Sequence, residues 1–216
     1  MIPILSPLGD RGVTVRVGEG ISLDLSKRVV RHARAVRLAA IRGVTDVVPS
    51  YASLGVFYEP LEISFGDLTK ELATVLADDD DDKRDEQSEG RLVEIKVAYD
   101  GADLDDVCRL TRLSAQDVIE IHSSRDYTAL VVGFVPGWAY LGQLDPRLIV
   151  PRRESPRKRV PAGSVAITEA QTGVYPSETP GGWNLIGTTN EKMFDPTKDS
   201  PALLVVGDRV RFVPSS

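Results

Sequence analysis

Apolar and polar residues alternate with a period of two in residues 12–17 and again in residues 91–99. Such alternation is typical of a β-strand that buries one face. Residues 44–49 and 53–59 predict two further strands, joined by a short turn. The first half of the chain is therefore expected to contain a small β-sheet.

The stretches between these strands follow a helical period instead. Residues 22–41 predict a helix, because their apolar positions recur every three or four residues on one face: Leu25, Val29, Ala33, Val36 and Ala40. Gly43 follows as the expected C-cap. Ser64 and Asp67 have the spacing of a capping box, which predicts a second helix that ends at Ala77.

The resulting order, βαββαβ, is the split βαβ arrangement of ferredoxin-like domains. Residues 78–90 carry five consecutive aspartates, which repel one another and bury nothing, so they predict a solvated, mobile linker. We place the first domain at residues 1–98, with this acidic linker inside it. The second domain is expected to span residues 99–216.

The second half opens with two short predicted helices, 103–113 and 114–123, the latter with a capping box at Ser114 and Asp117. Short predicted strands between glycine and proline turns then follow, at residues 127–134, 163–168, 183–189, 202–206 and 209–213. This pattern is typical of a β-barrel or a β-sandwich. The fold class predicted for the whole chain is α+β.

Composition and charge exclude several classes of function. The net charge of −6 argues against a nucleic-acid partner, because phosphate binding needs a basic face. Cys108 is the single cysteine, so a reducing cytoplasm is expected, and no apolar stretch reaches the roughly 18 residues of a membrane span. The N-terminus lacks the pattern of a signal peptide. Two histidines cannot form a multi-histidine metal site, and no Walker A, GxGxxG, zinc or GxSxG motif is present.

The candidate chemistry lies between residues 133 and 187, where glycine and proline are dense and both tryptophans occur. Polar side chains on such turns beside an apolar wall are what a small-molecule pocket needs. We expect binding by Thr172, Tyr175, Gly181, Gly182 and Trp183, and chemistry by Gln171 and Glu178. Glu178 is the preferred group for proton transfer. The alternative is that Trp183 belongs to the barrel core and that Gln171 and Glu178 only satisfy turn backbone.

Two further features remain open between a structural and a functional role. The basic segment 151–161 is either a solvated loop or an anion-binding rim, with Arg153 and Arg159 as its preferred members. His122 is either a packing residue near a helix end or a groove-lining residue.

Four stretches resemble the carboxyltransferase C/D family: GFVPGWAYLGQLDPRL, PRRESPRKRVPAGSVAI, QTGVYPSETPGGWNLIGTT, and the ending FDP…PALLVVGDRVRFVP. The family includes the B subunit of the prokaryotic 5-oxoprolinase, the kinase inhibitor KipI, and proteins labelled allophanate hydrolase subunit 1. The sequence departs from the family's usual pattern at Tyr99-Asp100-Gly101 and at Pro136-Gly137-Trp138.

The resemblance implies a ferredoxin-like N-terminal domain and a cyclophilin-like β-barrel. It also implies two partners, which are chains similar to the C and A subunits of 5-oxoprolinase, and ATP-dependent opening of the lactam of 5-oxo-L-proline to L-glutamate. ATP is then used by the complex, and we expect neither nucleotide binding nor turnover by this chain alone. The resemblance leaves two alternatives open. One is a kinase-inhibiting binding protein, and the other is allophanate hydrolase subunit 1 or one half of a urea carboxylase-type carboxyltransferase.

Overall fold

The computed structural model describes residues 3–77 and 90–215, and the chain divides at Gly90 into two compact units. Apart from Gly90, the predicted acidic linker lies outside the described residues.

The first unit is an antiparallel four-stranded sheet with two helices. Its elements are β1 (Ile4–Pro7), β2 (Gly12–Arg16), α1 (Leu23–Ala39), β3 (Val44–Ser50), β4 (Ser53–Tyr58) and α2 (Phe65–Ala77). The strands lie in the order β1-β2-β4-β3. Val15, Leu54 and Val56 alternate with exposed or half-buried residues and pack against apolar side chains of both helices. The two predicted helices are confirmed, and so is the N-cap role of Ser64, whose Oγ accepts the Asp67 N–H at 3.2 Å and donates to Asp67 Oδ2 at 2.7 Å.

The C-cap of α1 is the one local signal in this unit that the sequence misplaces. Ala40 holds the left-handed conformation, with φ of 45°, and its N–H donates to the Arg37 carbonyl. Gly43 also has a positive φ, of 83°, but it lies in the turn that leads into β3. The helix therefore ends earlier than glycine placement suggests.

The second unit is built on a seven-stranded sheet. Its strands are β5 (Leu92–Val97), β6 (Asp126–Val132), β7 (Ala139–Gly142), β9 (Ser164–Thr168), β10 (Gln171–Val174), β12 (Asn184–Thr188) and β13 (Arg209–Pro214). They lie in the order β12-β9-β10-β7-β6-β13-β5. Ala98 pairs with Thr188 through two backbone hydrogen bonds of 2.9 and 2.7 Å, which join the two edges. The predicted α+β class with a barrel in the second half is confirmed.

Two short helices and a small ribbon complete this unit: α3 (Leu104–Thr111), α4 (Ala115–Ser123), β8 (Arg157–Val160) and β11 (Thr179–Gly181). The capping box at the start of α4 is present, with Ser114 Oγ accepting the Asp117 N–H at 3.1 Å. The strand predicted at 202–206 is absent, since only Ala202 forms an isolated bridge, to Phe194. None of the described helices is long and apolar enough to cross a membrane.

One predicted strand belongs to the other unit. β5 pairs in parallel with β13 over its whole length, so it lies in the barrel and not in the first sheet. The edge position beside β2 is taken by β1, which gives the first unit the order ββαββα. The division at Gly90 thus differs from the boundary predicted at residue 98. Alternation shows that a segment is a strand, but it does not show which sheet the segment joins.

Candidate functional site

Strands β9 and β10 present different side chains to the two faces of the large sheet. Because side chains alternate along a strand, Gln171 and Gly173 share one face with their partners Thr168 and Ala166. Thr172 lies on the opposite face. The sheet thereby separates Gln171 from Thr172, although the two are neighbours in sequence.

The face that carries Ala166 is covered by an aromatic cluster, which we define as Trp138, Tyr140, Tyr175 and Trp183. The Trp138 ring centroid lies 4.6 Å from that of Tyr175, 5.0 Å from that of Trp183 and 5.6 Å from that of Tyr140. The edge-to-face geometry of these pairs is favourable for aromatic rings. Both tryptophans of the chain therefore pack in one place.

Two glycines make this packing possible. A Cβ at Gly173 would lie 3.1 Å from the Trp138 ring, and a Cβ at Gly181 would lie 2.1 Å from the Tyr175 hydroxyl oxygen. A side chain at Gly181 would displace the Tyr175 ring, and one at Gly173 would require the Trp138 ring to give by a few tenths of an ångström. The density of glycine that the sequence shows here thus reflects close approach between backbone and rings.

Phe134 extends the aromatic cluster into solvent. Its side chain is 64% exposed, and its ring contacts Trp138 edge to face at 6.1 Å. The backbone of Phe134 has a φ of 85°, a region that residues with a side chain rarely adopt. A strained residue that displays an aromatic ring to solvent is typical of a binding surface.

Two buried polar atoms on this side have no hydrogen-bond partner among residues 3–77 and 90–215. They are Trp138 Nε1, a donor, and Thr168 Oγ1, which can donate or accept. Trp138 is 2% exposed and Thr168 is fully buried. Unpaired buried polar atoms of this kind are uncommon in folded proteins, because each costs free energy. Gln171, on the same face, is also buried, at 7% exposure.

Glu178 and Arg159 come together at the rim. Arg159 lies in β8, and Glu178 directly precedes β11, the strand that pairs with β8. Arg159 Nε lies 3.5 Å from Glu178 Oε1, with the side chains 81% and 58% exposed. The two residues chosen from sequence as anion binder and proton carrier are therefore ion-pair partners on an open surface.

Arg153 has a different environment from Arg159. Its guanidinium bonds to the buried carboxylate of Asp103, which also accepts two hydrogen bonds of 2.8 Å from Arg157. Its backbone N–H donates to the Gly182 carbonyl at 2.8 Å, so the basic loop is fixed beside Trp183. Asp103 and Arg157 were missed from the sequence, because only the fold brings residues this far apart together.

Tyr175 lies inside the aromatic cluster, not at its surface. It is 2% exposed, and burial raises the pKa of its phenol, while a Trp183 backbone hydrogen bond and the charges of Arg152 and Arg157 oppose the shift. The hydroxyl rests against Gly181. Tyr175, Gly181 and Gly182 thus shape the backbone that carries Trp183.

His122 and Thr172 lie on the other face, in the barrel core. His122 is fully buried and stacks on Phe212 with centroids 4.5 Å apart. Thr172 Oγ1 donates to the Ala166 carbonyl at 3.0 Å. Its oxygen therefore accepts from His122 Nε2 at 2.9 Å, and His122 Nδ1 accepts from the Tyr99 hydroxyl at 2.7 Å. Burial lowers the pKa of His122 to about 3. This geometry supports the packing role of His122. It does not allow His122 or Thr172 to contact a ligand directly.

Of the three residues expected around a shared recess, Gln171 and Trp183 are buried, at 7% and 5% exposure, while the Glu178 side chain is 58% exposed. A cavity of about 500 Å³ lies elsewhere, between Tyr99 and Glu120 of α4. Smaller ones lie beside Arg147 and, in the first unit, beside Arg37. None of these three includes Gln171, Glu178 or Trp183. Among the described residues, no group of three His, Cys, Asp or Glu side chains could hold a metal ion.

A family model and curated relatives both match nearly the whole of this chain. The family model of the carboxyltransferase domain, subdomain C and D, matches residues 3–204. The 5-oxoprolinase B subunit of Bacillus subtilis (strain 168) is 36% identical over 97% of this chain and 91% of its own length. The protein of the same name from Escherichia coli O157:H7 is 40% identical over 96% of this chain and 94% of its own length.

Solved structures agree with the fold. TTHA0988 matches with a TM-score of 0.84 and 39% identity over 95% of this chain, which corresponds to 40% of the TTHA0988 chain. PH0987 from Pyrococcus horikoshii matches with a TM-score of 0.57 and 40% identity over 98% of this chain and 97% of its own. The Kluyveromyces lactis urea carboxylase matches at 20% identity with a TM-score of 0.74, over 99% of this chain and 22% of its own, which is a likeness of fold alone.

Proposed function

We propose that this chain, which belongs to the carboxyltransferase domain family of subdomains C and D, is the B subunit of an ATP-dependent 5-oxoprolinase. The observation that carries the proposal is the identity of 36% and 40%, over nearly the whole chain, to proteins named as the B subunit of 5-oxoprolinase. The complex would also contain an A-like chain and a C-like chain, meaning chains similar to the other two subunits of that enzyme, and would work in the cytoplasm.

The proposed reaction is the opening of the 5-oxo-L-proline lactam to L-glutamate. A lactam is a poor electrophile, and ATP would supply the phosphoryl group that turns its oxygen into a leaving group. The sequence has no Walker A or GxGxxG motif, so its residues do not fit a nucleotide site of those kinds. We therefore assign ATP to the complex and derive no step through it on this chain.

The role of this chain would be to bind and orient the substrate ring. The exposed Phe134 ring, at the edge of the aromatic cluster, offers an apolar contact surface for the substrate ring. Gln171, buried on the same side, would polarise the lactam oxygen. At the rim, Glu178 would orient water or carry a proton, while Arg159 beside it offsets negative charge.

The test is co-expression with the A-like and C-like chains, followed by measurement of ATP-dependent glutamate formation from 5-oxo-L-proline. We expect turnover by the complex and none by this chain alone. Glu178→Ala and Arg159→Ala should each lower kcat/KM by at least about tenfold, the lower range for general acid–base and charge-stabilising groups. Lys158→Ala, the exposed neighbour of Arg159 in β8, is the matched control and should leave turnover unchanged.

The outcomes separate the proposal from its residue assignments. Turnover at the wild-type rate in both the Glu178 and Arg159 variants would leave the function standing and remove those two roles. The proposal would be rejected if the chain co-purified with no C-like chain, formed no glutamate and inhibited a histidine kinase. The protein would then be a regulatory binding protein.

A further inference from the structure

Asp103 is a buried carboxylate that joins three distant segments of the second unit. It is 1% exposed and lies at the start of α3. Its oxygens accept from Arg153, from both terminal nitrogens of Arg157 at 2.8 Å, and from the Leu185 N–H at 2.8 Å. Its own N–H donates to the Leu185 carbonyl at 2.9 Å. These contacts fix the basic loop to β12, next to Trp183.

The charges in this group do not balance. Arg109 pairs with Asp106 at 2.6 Å, and Asp103 alone faces both Arg153 and Arg157. Asp106 also acts electrostatically on Arg157. The group therefore holds three guanidiniums, of Arg109, Arg153 and Arg157, and the two carboxylates of Asp103 and Asp106, an excess of one positive charge. The Arg153 and Arg157 side chains are 29% and 25% exposed, so this charge is accessible from solvent.

Both arginines still have hydrogen-bond donors to offer. A guanidinium has five N–H groups, and Asp103 takes one bond from Arg153 and two from Arg157. Arg153 Nε is buried and has no partner among the described residues. The carboxylate of Asp103 holds the two forks in place before any ligand arrives, which lowers the entropy cost of binding.

The pair also lies beside the aromatic cluster. Arg157 is the strand partner of Gly181, whose backbone rests against the Tyr175 hydroxyl. Arg153 bonds through its N–H to the Gly182 carbonyl. A ligand whose ring contacts the aromatic cluster could therefore place a negative group against these two guanidiniums.

We infer that Arg153 and Arg157, held together by Asp103, form the subsite that binds the carboxylate of the ligand. The inference rests on the proposed function for the identity of that ligand, 5-oxo-L-proline. The carboxylate is thus held by Arg153 and Arg157, whereas Arg159, which is 81% exposed and paired with Glu178 at the rim, keeps the charge-offsetting role proposed above. The planar fork of arginine matches a carboxylate in a way that lysine cannot.

A binding experiment on the full chain tests the subsite without any turnover. The Nε–H signals of Arg153 and Arg157 are followed by NMR while 5-oxo-L-proline is added, with 2-pyrrolidinone, the same lactam without a carboxylate, as the control ligand. Both signals should shift with 5-oxo-L-proline and stay in place with 2-pyrrolidinone. Equal shifts with both ligands, or shifts confined to Arg159, would overturn the inference.

Variants extend the test to the assembled complex. Arg153→Lys keeps the charge and loses the fork, so KM for 5-oxo-L-proline should rise at least about tenfold while kcat stays within about twofold. Arg152→Lys, an exposed neighbour in the same loop, is the matched control and should leave KM unchanged. An unchanged KM in Arg153→Lys would place the subsite elsewhere. Absence of turnover in the wild-type complex would instead reject the proposed function, and the NMR titration would still decide the subsite.

Discussion

The two faces of β9 and β10 bury their side chains equally but satisfy their polar atoms differently. Thr172 and Thr168 are both fully buried and lie on opposite faces. Thr172 Oγ1 bonds to His122 and to the Ala166 carbonyl, whereas Thr168 Oγ1 has no partner among the described residues. The His122 side is a completed core, and the aromatic side keeps unused hydrogen-bonding capacity.

This difference supports our proposal that the aromatic side of the barrel binds the ligand. A completed polar network in a packed core rigidifies the fold, and opening it costs free energy. Unpaired buried polar atoms lower stability, and proteins tolerate such unfavourable features mainly at functional sites. The comparison can be tested by substitution, and the fluorescence of Trp138 and Trp183 reports on the second unit, because both tryptophans lie there.

The largest expected effect comes from the His122 side. Phe212→Ala removes a ring that is 1% exposed and stacks on His122, so the free energy of unfolding should fall by about 3–5 kcal/mol. Denaturant unfolding followed by tryptophan fluorescence measures it. Phe134→Ala, on the exposed ring, is the control and should stay within about 0.5 kcal/mol. Similar losses in both variants would contradict the division between core and binding surface.

A smaller loss is expected from Thr172→Val. The change leaves the His122 Nε2–H without its acceptor in the core, which should cost about 1–3 kcal/mol. The same unfolding experiment applies, with NMR of the His122 ring as a second measurement. A neutral effect would mean that the hydrogen bond to His122 is not formed in solution.

The pH dependence of stability provides an independent measurement of His122. Its pKa falls from 6.5 to about 3 on folding, so the unfolded chain binds the proton first as the pH falls. Stability from this group is complete above about pH 6.5 and is lost toward pH 3, at up to about 1.4 kcal/mol per pH unit. The difference between wild type and His122→Gln across this range isolates His122 from the carboxylates. An identical slope in the two proteins would show that His122 is accessible to protons.

The smallest effect is expected from Thr168→Val, the counterpart of Thr172→Val. Removing a buried hydroxyl that has no partner among the described residues should be neutral or should stabilise the protein by up to about 1 kcal/mol. If Thr168→Val instead costs as much as Thr172→Val, the two faces are equally satisfied and the comparison fails.

Local signals in the sequence predicted most of the helices and several strands correctly. The capping pairs at Ser64 and Ser114 and the apolar period of residues 22–41 act within one or two turns of helix, and each predicted a helix that is present. The strand at 92–97 was recognised, but its sheet was not, because β1 competes for the same edge and β13 lies far away in sequence. Residues 139–142 were missed, since four residues are too few for a periodic signal.

The candidate site was predicted in part. The turn-rich segment around Trp183 does gather the aromatic residues, and Glu178 does meet Arg159. Thr172 and His122 were expected at the same site, but the pleat of β10 turns Thr172 to the opposite face, where His122 binds it. Adjacent residues of a strand cannot serve one face, but the sequence did not predict the strand Gln171–Val174, so only the structure shows that Gln171 and Thr172 lie on opposite faces.

The sequence by itself determined the class of the fold, the places where helices begin, and the residues able to do chemistry, because these depend on period, caps and residue type. Only the tertiary structure decided which sheet the strand at 92–97 joins and which face each side chain occupies. It also decided that Asp103 meets Arg153 and Arg157. Those outcomes depend on contacts between residues far apart in the chain, and no local pattern carries that information.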